Sequence, residues 1–433
     1  MLQMWLENLK KLPRMPAVIE RYAVAKARDE INQATYIAAK SQARTLWVDI
    51  SVISRRDAGS GIQRVVRALL AELQALSITG WHVQPVAATP RQPYRAVPWQ
   101  IPAVSPKQCP KIEPQAGDIF LGLDLSAHII PRRQREMAVW KSRGLKLAFV
   151  IYDLLPLHHP QWFSAKLVRS FRRWIKSVAS LADQVFCISL PVKQDFEACM
   201  HARYGLQPGT IATHVFPMGG DIKASQPSTG FPEQFFDRLG LIQQGKSALM
   251  VGTIEPRKGY DQILDAFEHL WVKGCAHKLV IVGRTGWMTE TLQNRITSNP
   301  MLDRQLFWFD NASDEALNML YELCSGVILA SHAEGFGLPL LEALEHGKPV
   351  LARDLAVFHQ IESPLVNYFA AKSDTEAIGT AIDQWLELSG KPGKLDQNNS
   401  HNGFPTWRDS LNGLLKRLLP PEAILDSRCS EFA

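Results

Sequence analysis

The sequence predicts an α/β protein made of two doubly wound parallel-sheet domains. Three observations carry that reading. The chain has 433 residues, more than one hydrophobic core usually serves. From Thr45 onward, short apolar runs alternate with amphipathic helical spacings, the grammar of a parallel sheet covered by helices. The alternation pauses in a stretch rich in Ser, Pro, Thr and Gly, from Asp221 to Gly240, and then restarts. A hydrophobic share of 46% and a charged share of 21% place the chain among ordinary globular enzymes.

In order, Leu46–Ile53 (LWVDISVI) reads as a buried strand, and Ser54–Gly61 as a polar loop. Ile62–Leu73 puts Ile62, Val65, Val66, Leu69 and Leu73 on one helical face. Further strands are expected at HVQPVAA, Asp118–Leu123, Leu147–Asp153 and Asp183–Ser189, with a basic helix at about Ser164–Ser180. The second series runs from a strand at Ala248–Thr253 through a helix at Tyr260–Val272. It continues with the strand KLVIVG, a helix at Asp314–Cys324 and a strand at Gly326–Ser331. A helix from Glu334 onward, the strand KPVLA and a late helix at Thr406–Leu419 complete it, after the loop GKPGKLDQNNSHNG. The expected division is an N-terminal helical extension (1–44), a first domain (45–225), a second (226–400) and a closing helix and tail (401–433).

Six cysteines (Cys109, Cys187, Cys199, Cys275, Cys324, Cys429) are scattered with no CxxC pair, so reduced thiols are expected rather than disulfides or zinc. The net charge of +6 suits a polyphosphate ligand or an anionic surface. No basic run with interleaved aromatics points to nucleic acid. No apolar stretch is long enough to span a bilayer. Glu7, Lys10, Lys11 and Arg14 interrupt any signal-peptide core, so the cytoplasm is the expected location. Leu2, Trp5 and Leu9 form a stripe in Met1–Leu12. It fits peripheral membrane contact, a helix packed on the body, or a loose arm.

The chemistry concentrates in Ser331–Val350, SHAEGFGLPLLEALEHGKPV. The segment follows a strand and opens a helix, so it lies at the carboxyl edge of a sheet, where such folds bind ligands. Gly335 and Gly337 let backbone approach a ligand. Pro339 suits a first helical turn, whose N–H groups attract anions. Glu334 and Glu342 stand eight residues apart. Glu342 is expected about two turns into the helix, roughly 8–12 Å along it. One carboxylate would then hold a sugar and the other a ribose. The plain alternative is a surface glutamate beside a glycine turn. A second segment, Val251–Gly259 (VGTIEPRKG), sets Arg257 and Lys258 where a loop meets a helix. Two cations there would neutralise a diphosphate leaving group. Asp153 either contacts substrate or caps the turn after its strand. His158 and His159, beside Pro160, are weak metal candidates, and no Asp-x-Asp occurs.

These segments and their order resemble glycosyltransferase family 4, retaining enzymes of the GT-B fold with two Rossmann-like domains facing across a cleft. VGRTGW (Val282–Trp287), the helix start at Ser313–Leu317, PMGGD (Pro217–Asp221) and the terminal TWRDSL also match. Together with GIQRVVR and YDLLPLHHP they are most similar to bacterial O-antigen and capsule mannosyl- and rhamnosyltransferases. The resemblance implies that Glu334 contacts the donor sugar. It puts the backbone of Gly335, Phe336, Gly337 and Leu338 at the sugar and phosphates, and Arg257 and Lys258 on the diphosphate. Glu342 would bind the ribose, Asn311 and Ala312 would face the base, and Gly59 and Gly61 would bring the first domain's loop toward the phosphates. The implied substrates are a nucleotide-sugar donor, with GDP-mannose ahead of dTDP-rhamnose, and a glycan or lipid-linked oligosaccharide acceptor. No cofactor or metal is implied. Thr253 stands where many members have Arg, which shifts phosphate binding onto Arg257 and Lys258. Tyr152 stands where many have His, so no catalytic imidazole is assigned there.

Two other classes fit these residues less well. DAGSGIQR is not the G-x-G-x-x-G of a nicotinamide-dependent oxidoreductase. A non-catalytic scaffold that only binds sugar nucleotides would not require Glu334, Glu342, Arg257 and Lys258 together.

Overall fold

Strands covered by helices on both faces must be apolar throughout, and both sheets are built from such runs. The computed structural model describes residues 17–33, 44–57, 59–100, 106–220, 228–389, 404–423 and 425–427. Met1–Leu12, the loop 390–403, residues 221–227 of the linker stretch and Cys429 lie outside them.

The chain divides into two units, Met1–Pro217 with Arg408–Ala433, and Met218–Trp407. The division falls inside PMGGD, ahead of the boundary expected at 225–226. In the first unit the strands are β1 (Arg44–Asp49), β2 (Leu76–Ile78), β3 (Trp81–Ala87), β4 (Arg95–Ala96), β5 (Ile119–Gly122), β6 (Lys146–Ile151), β7 (Gln184–Cys187) and β8 (Ala212–Val215). Its parallel part runs β3-β1-β5-β6-β7-β8. The helices are α1 (Ala17–Asn32), α2 (Gly61–Ala75), α3 (Ile130–Ser142), α4 (Leu155–His158), α5 (Ala165–Leu181) and α6 (Leu190–Tyr204). Helix α1 is fastened to this unit. Arg28 donates to the carbonyls of Ala179, Ala182 and Thr210 at 2.9, 3.1 and 3.0 Å, and Arg203 pairs with Glu20 at 3.2 Å.

The second unit holds β9 (Ser247–Val251), β10 (Lys278–Val282), β11 (Leu306–Phe309), β12 (Gly326–Leu329), β13 (Val350–Arg353) and β14 (Val366–Phe369). With them go α7 (Phe235–Ile242), α8 (Tyr260–Val272), α9 (Glu290–Thr297), α10 (Asp314–Leu323), α11 (Leu338–Glu345) and α12 (Thr375–Leu388). Its sheet is wholly parallel, in the order β11-β10-β9-β12-β13-β14. That is the Rossmann order, which reverses between the first and fourth strands, here β9 and β12. Helix α13 (Trp407–Leu418) and strand β15 (Leu425–Ser427) then return to the first unit, where β15 pairs antiparallel with β2. Arg408 of α13 forms an ion pair with Glu72 of α2.

Three expected elements differ. The first strand stops at Asp49 rather than Ile53, because carboxylates capture the next backbone N–H groups. Asp49 accepts from Ser51 at 3.0 Å, and Asp124 accepts from Val52 and Ile53 at 2.8 and 2.7 Å. The linker composition does not reach Gly240: Phe235, Leu239 and Ile242 recur at helical spacing and bury one face of α7. The helix expected from Glu334 starts at Leu338, because Gly337 is left-handed, with φ 92°.

Candidate functional site

The reversal point of the second sheet is where a ligand crevice is expected, outside the carboxyl ends of β9 and β12. The loop after β9 carries Arg257 and Lys258, and the loop after β12 carries Glu334. The structure brings all three side chains together. Glu334 accepts from Arg257 Nη1 at 2.9 Å, from Lys258 Nζ, and from Ser331 Oγ at 2.7 Å. Arg257 Nε pairs with Glu255 at 2.8 Å. The side chains of Arg257, Lys258 and Glu334 are 16%, 15% and 9% exposed, so the cluster is shielded but reachable.

Burial would push the Glu334 carboxyl up. The charges of Lys258 and Arg257, with hydrogen bonds from Lys258 and Ser331, outweigh it and hold the group at about 2. Glu334 is therefore ionised at any working pH, and it accepts hydrogen bonds rather than donating a proton. Two cations here balance two carboxylates, Glu255 and Glu334.

Glycines set the loops. Gly259 precedes α8 with φ 69°, and a Cβ there would lie 2.3 Å from the Ala330 carbonyl oxygen. The loop after β9 lies against VGRTGW: Gly252 N–H donates to Val282 O at 2.9 Å, and Ile254 N–H to Arg284 O at 2.9 Å. A Cβ on Gly283 would sit 1.9 Å from Gly252 O, and one on Gly286 would sit 2.3 Å from Ile254 O. Both positions need glycine because two backbones touch.

Glu342 departs from its expected placement. Helix α11 begins at Leu338, so Glu342 lies little more than one turn along it, and it is 2% exposed. Its Oε2 accepts from Tyr321 Oη at 2.8 Å, and the Tyr321 ring stacks on His346 at 4.9 Å. Asn311 and Ala312 lie in the loop between β11 and α10, just before the cap Ser313, which accepts from Ala316 N–H at 3.0 Å. Gly335, Phe336 and Gly337 form the loop into α11, and Leu338 is its first residue.

In the first unit, Gly59 has φ 65° and donates to Asp57 at 2.8 Å, while Gly61 opens α2 behind the Ser60 capping box. Asp153 Oδ1 accepts from Leu155 N–H at 3.0 Å, which is the turn-capping geometry. Tyr152, at the position expected to lack an imidazole, is buried and donates to Leu123 O at 2.7 Å. His158 pairs with Asp195 at 2.8 Å, whereas His159 stacks on Trp162 at 4.1 Å, so the two rings do not converge. Cys109, Cys187, Cys199, Cys275 and Cys324 are free thiols; burial pushes Cys187 and Cys324 up to about 12. Cys275, His277 and Asp383 offer ligand atoms within 4.8 Å of one another, a grouping invisible in the sequence spacing. His277 pairs with Asp383 at 3.0 Å, and Lys246 occupies the neighbouring Glu387 at 2.9 Å. The sequence reading also missed Glu255, Ser331 and Tyr321. The first two had a signal, since each lies within a few residues of the charged side chain it touches. Tyr321 had none.

Residues 232–402 match the family model described as Glycosyl transferases group 1. That match lies within the second unit. Over 384 residues the chain is 36% identical to the serotype-specific mannosyltransferase WbdA of Escherichia coli, a stretch covering 88% of this chain and 45% of that protein. The chain thus spans less than half the length of this relative. Among solved structures, sucrose-phosphate synthase from Thermosynechococcus elongatus superposes with a TM-score of 0.55 at 19% identity, covering 87% of this chain and 96% of that one. WaaG, a glycosyltransferase involved in lipopolysaccharide biosynthesis, gives 0.55 at 14% identity, covering 86% and 99%. The fold around the group 1 domain is the GT-B fold expected from sequence. Among the described residues, no helix is long and apolar enough to cross a membrane.

Proposed function

We propose that the chain is a retaining glycosyltransferase that moves a hexose, mannose from GDP-mannose first, to a glycan acceptor in bacterial surface-polysaccharide synthesis. The observation that carries this reading is the Arg257–Lys258–Glu334 cluster at the reversal point of a Rossmann-ordered sheet. Mannose as the sugar is supported by the likeness to WbdA. A lipid-linked acceptor, reached from the cytoplasm by peripheral membrane contact, completes the proposal.

Donor binding exchanges one anion for another. The diphosphate takes the N–H donors of Arg257 and Lys258, and Glu334, released on that side, accepts from sugar hydroxyls. As the glycosidic bond breaks, charge grows on the diphosphate, where the two cations stabilise it. The acceptor hydroxyl attacks on the face the leaving group vacates and passes its proton to a phosphate oxygen, so configuration is retained. Glu342, held by Tyr321, is the proposed partner of the ribose. No step needs a metal, and transfer is expected to persist in EDTA.

The test is transfer of labelled mannose from GDP-mannose by the purified chain, with product configuration read by NMR. A melting-temperature panel of GDP, dTDP, UDP and NAD names the base. A rise with dTDP alone replaces mannose by rhamnose. A rise with NAD alone, or donor binding without hydrolysis or transfer, defeats the proposal.

A further inference from the structure

The first unit holds a second concentration of charge that the donor site does not use. Between α3 and α5 lies a pocket of about 370 Å³, lined by His128, Arg132, Arg135, Arg173 and Lys176, with no carboxylate in its wall. That volume is in the range of small-ligand sites. The pocket is built into the fold. Val168, Phe171, Trp174, Ile175 and Val178 bury the apolar face of α5, which fixes the helix's rotation and leaves Arg173 and Lys176 in the wall. Ser177 Oγ meets Gln134 Oε1 at 3.5 Å and ties the two helices at its floor. Arg132 Nη1 donates to His128 O at 2.7 Å, which orients its fork.

Glu20, itself paired with Arg203, offsets part of the charge of Lys176. Among the described residues, no ion pair joins Arg132, Arg173 or Lys176 to a carboxylate, and the nearby Glu136 faces Arg133 at 4.0 Å. The field registers on the pocket's own groups. Burial, then the charges of Arg55, Arg132 and Lys166, hold the His128 imidazole below its ordinary value. Burial also pulls Lys176 down. Ala127 and His128 follow β5 at the carboxyl edge of the sheet, the edge at which open α/β sheets take ligands.

We propose that this pocket binds a phosphate or diphosphate group of a ligand other than the nucleotide-sugar donor. Arginine forks grip two phosphate oxygens at once, and the half-buried Lys176 supplies a point charge. Two sources share this chemistry: the diphosphate of a phosphorylated acceptor, and the phosphate of a lipid headgroup. Only the naming of that ligand as the acceptor rests on the transferase reading.

The test uses the full chain, its Arg132→Glu/Arg173→Glu variant, and an Arg257→Ala/Lys258→Ala variant that removes the donor site's cations. Calorimetric titration with inorganic pyrophosphate probes the soluble source. Co-sedimentation with phosphatidylglycerol–phosphatidylcholine vesicles, against phosphatidylcholine alone, probes the lipid source. At least one probe is expected to bind the wild type and the donor-site variant, and to weaken at least about tenfold in the pocket variant, as lost charge-assisted contacts should. Restored binding in Arg132→Lys/Arg173→Lys, with melting temperatures matched, separates charge from misfolding. Loss of pyrophosphate binding names a diphosphate, and loss of vesicle binding alone names a headgroup. Wild-type affinity of the pocket variant for both probes overturns the site, as does loss confined to the donor-site variant. A pocket that binds while the chain turns over no sugar nucleotide keeps this inference and defeats the transferase reading.

Discussion

Two reversal points, one per sheet, solve the same topological problem with opposite electrostatics. In the first unit the strand order reverses at β1 and β5, and the loops there are organised by two buried acids. Asp49 is 0% and Asp124 is 3% exposed, and both spend their oxygens on backbone or hydroxyl donors. Burial pushes Asp49 to about 6; burial and then the Asp49 charge push Asp124 to about 7. In the second unit, at β9 and β12, Glu334 is less deeply shielded and faces two cations, and it is held at about 2. A carboxylate among amides shapes a loop; a carboxylate among cations keeps those cations in place for an incoming anion. The first kind of site is structural, and the second is where chemistry is expected.

The largest test of that contrast is activity. Lys258→Ala and Glu334→Ala are each expected to cut kcat/KM for sugar transfer at least about a hundredfold, the usual loss of a transition-state charge. Asp124→Asn should change turnover per folded molecule far less. Near-normal transfer by either second-unit variant removes the distinction. Next is backbone: Gly259→Ala is expected to cost about 2–3 kcal/mol in urea unfolding, because it combines a left-handed backbone with contact on Ala330 O. Gly61→Ala, which meets nothing within 4 Å, should be nearly silent. Asp124→Asn itself should cost about 1–2 kcal/mol, since one amide oxygen can still accept from Val52 and Ile53 but the second carboxylate oxygen is lost.

The smallest effect is in pH, and its sign differs between the units. Asp49 and Asp124 have folded values raised above the ordinary carboxylate range, so the stability they contribute is full below about pH 4 and is lost as pH rises through 6 and 7. Glu334 is lowered, so its contribution is full above about pH 4.5 and is lost as pH falls toward 2. Melting of the first unit should therefore rise by roughly 2–4 °C between pH 8 and pH 5.5, and Asp124→Asn should flatten that rise. An unchanged or falling melting temperature in the wild type means the first unit's acids do not titrate there.

The second unit's site was legible because its signals are local. Arg257 and Lys258 adjoin Gly259, Glu334 adjoins Gly335 and Gly337, and each group follows an apolar run. Helix α8 falls on its expected residues for the same reason: its buried residues repeat at helical spacing, and Gly259 ends the loop before it. What escaped depends on partners distant in sequence. Tyr321 decides that Glu342 is buried, and Asp124 decides that β1 ends at Asp49. The cationic pocket needs α3 and α5 side by side. Residues 1–44 read as a helical extension with no stated anchor, and Arg28 fastens α1 through carbonyls that no side-chain pattern encodes.

The path of the chain has one more consequence, for synthesis. Leu411, Leu414, Leu415 and Leu418 of α13 are buried within the first unit, and a Cβ on Gly413 would rest 3.4 Å from Pro217. A ribosome must deliver the whole second unit before it releases the helix that completes the earlier half. The domain encoded second is thus free to mature first, and its host waits, with an apolar seam open, until Trp407–Leu418 emerges. A cut between the halves would leave one part self-sufficient and the other permanently unfinished.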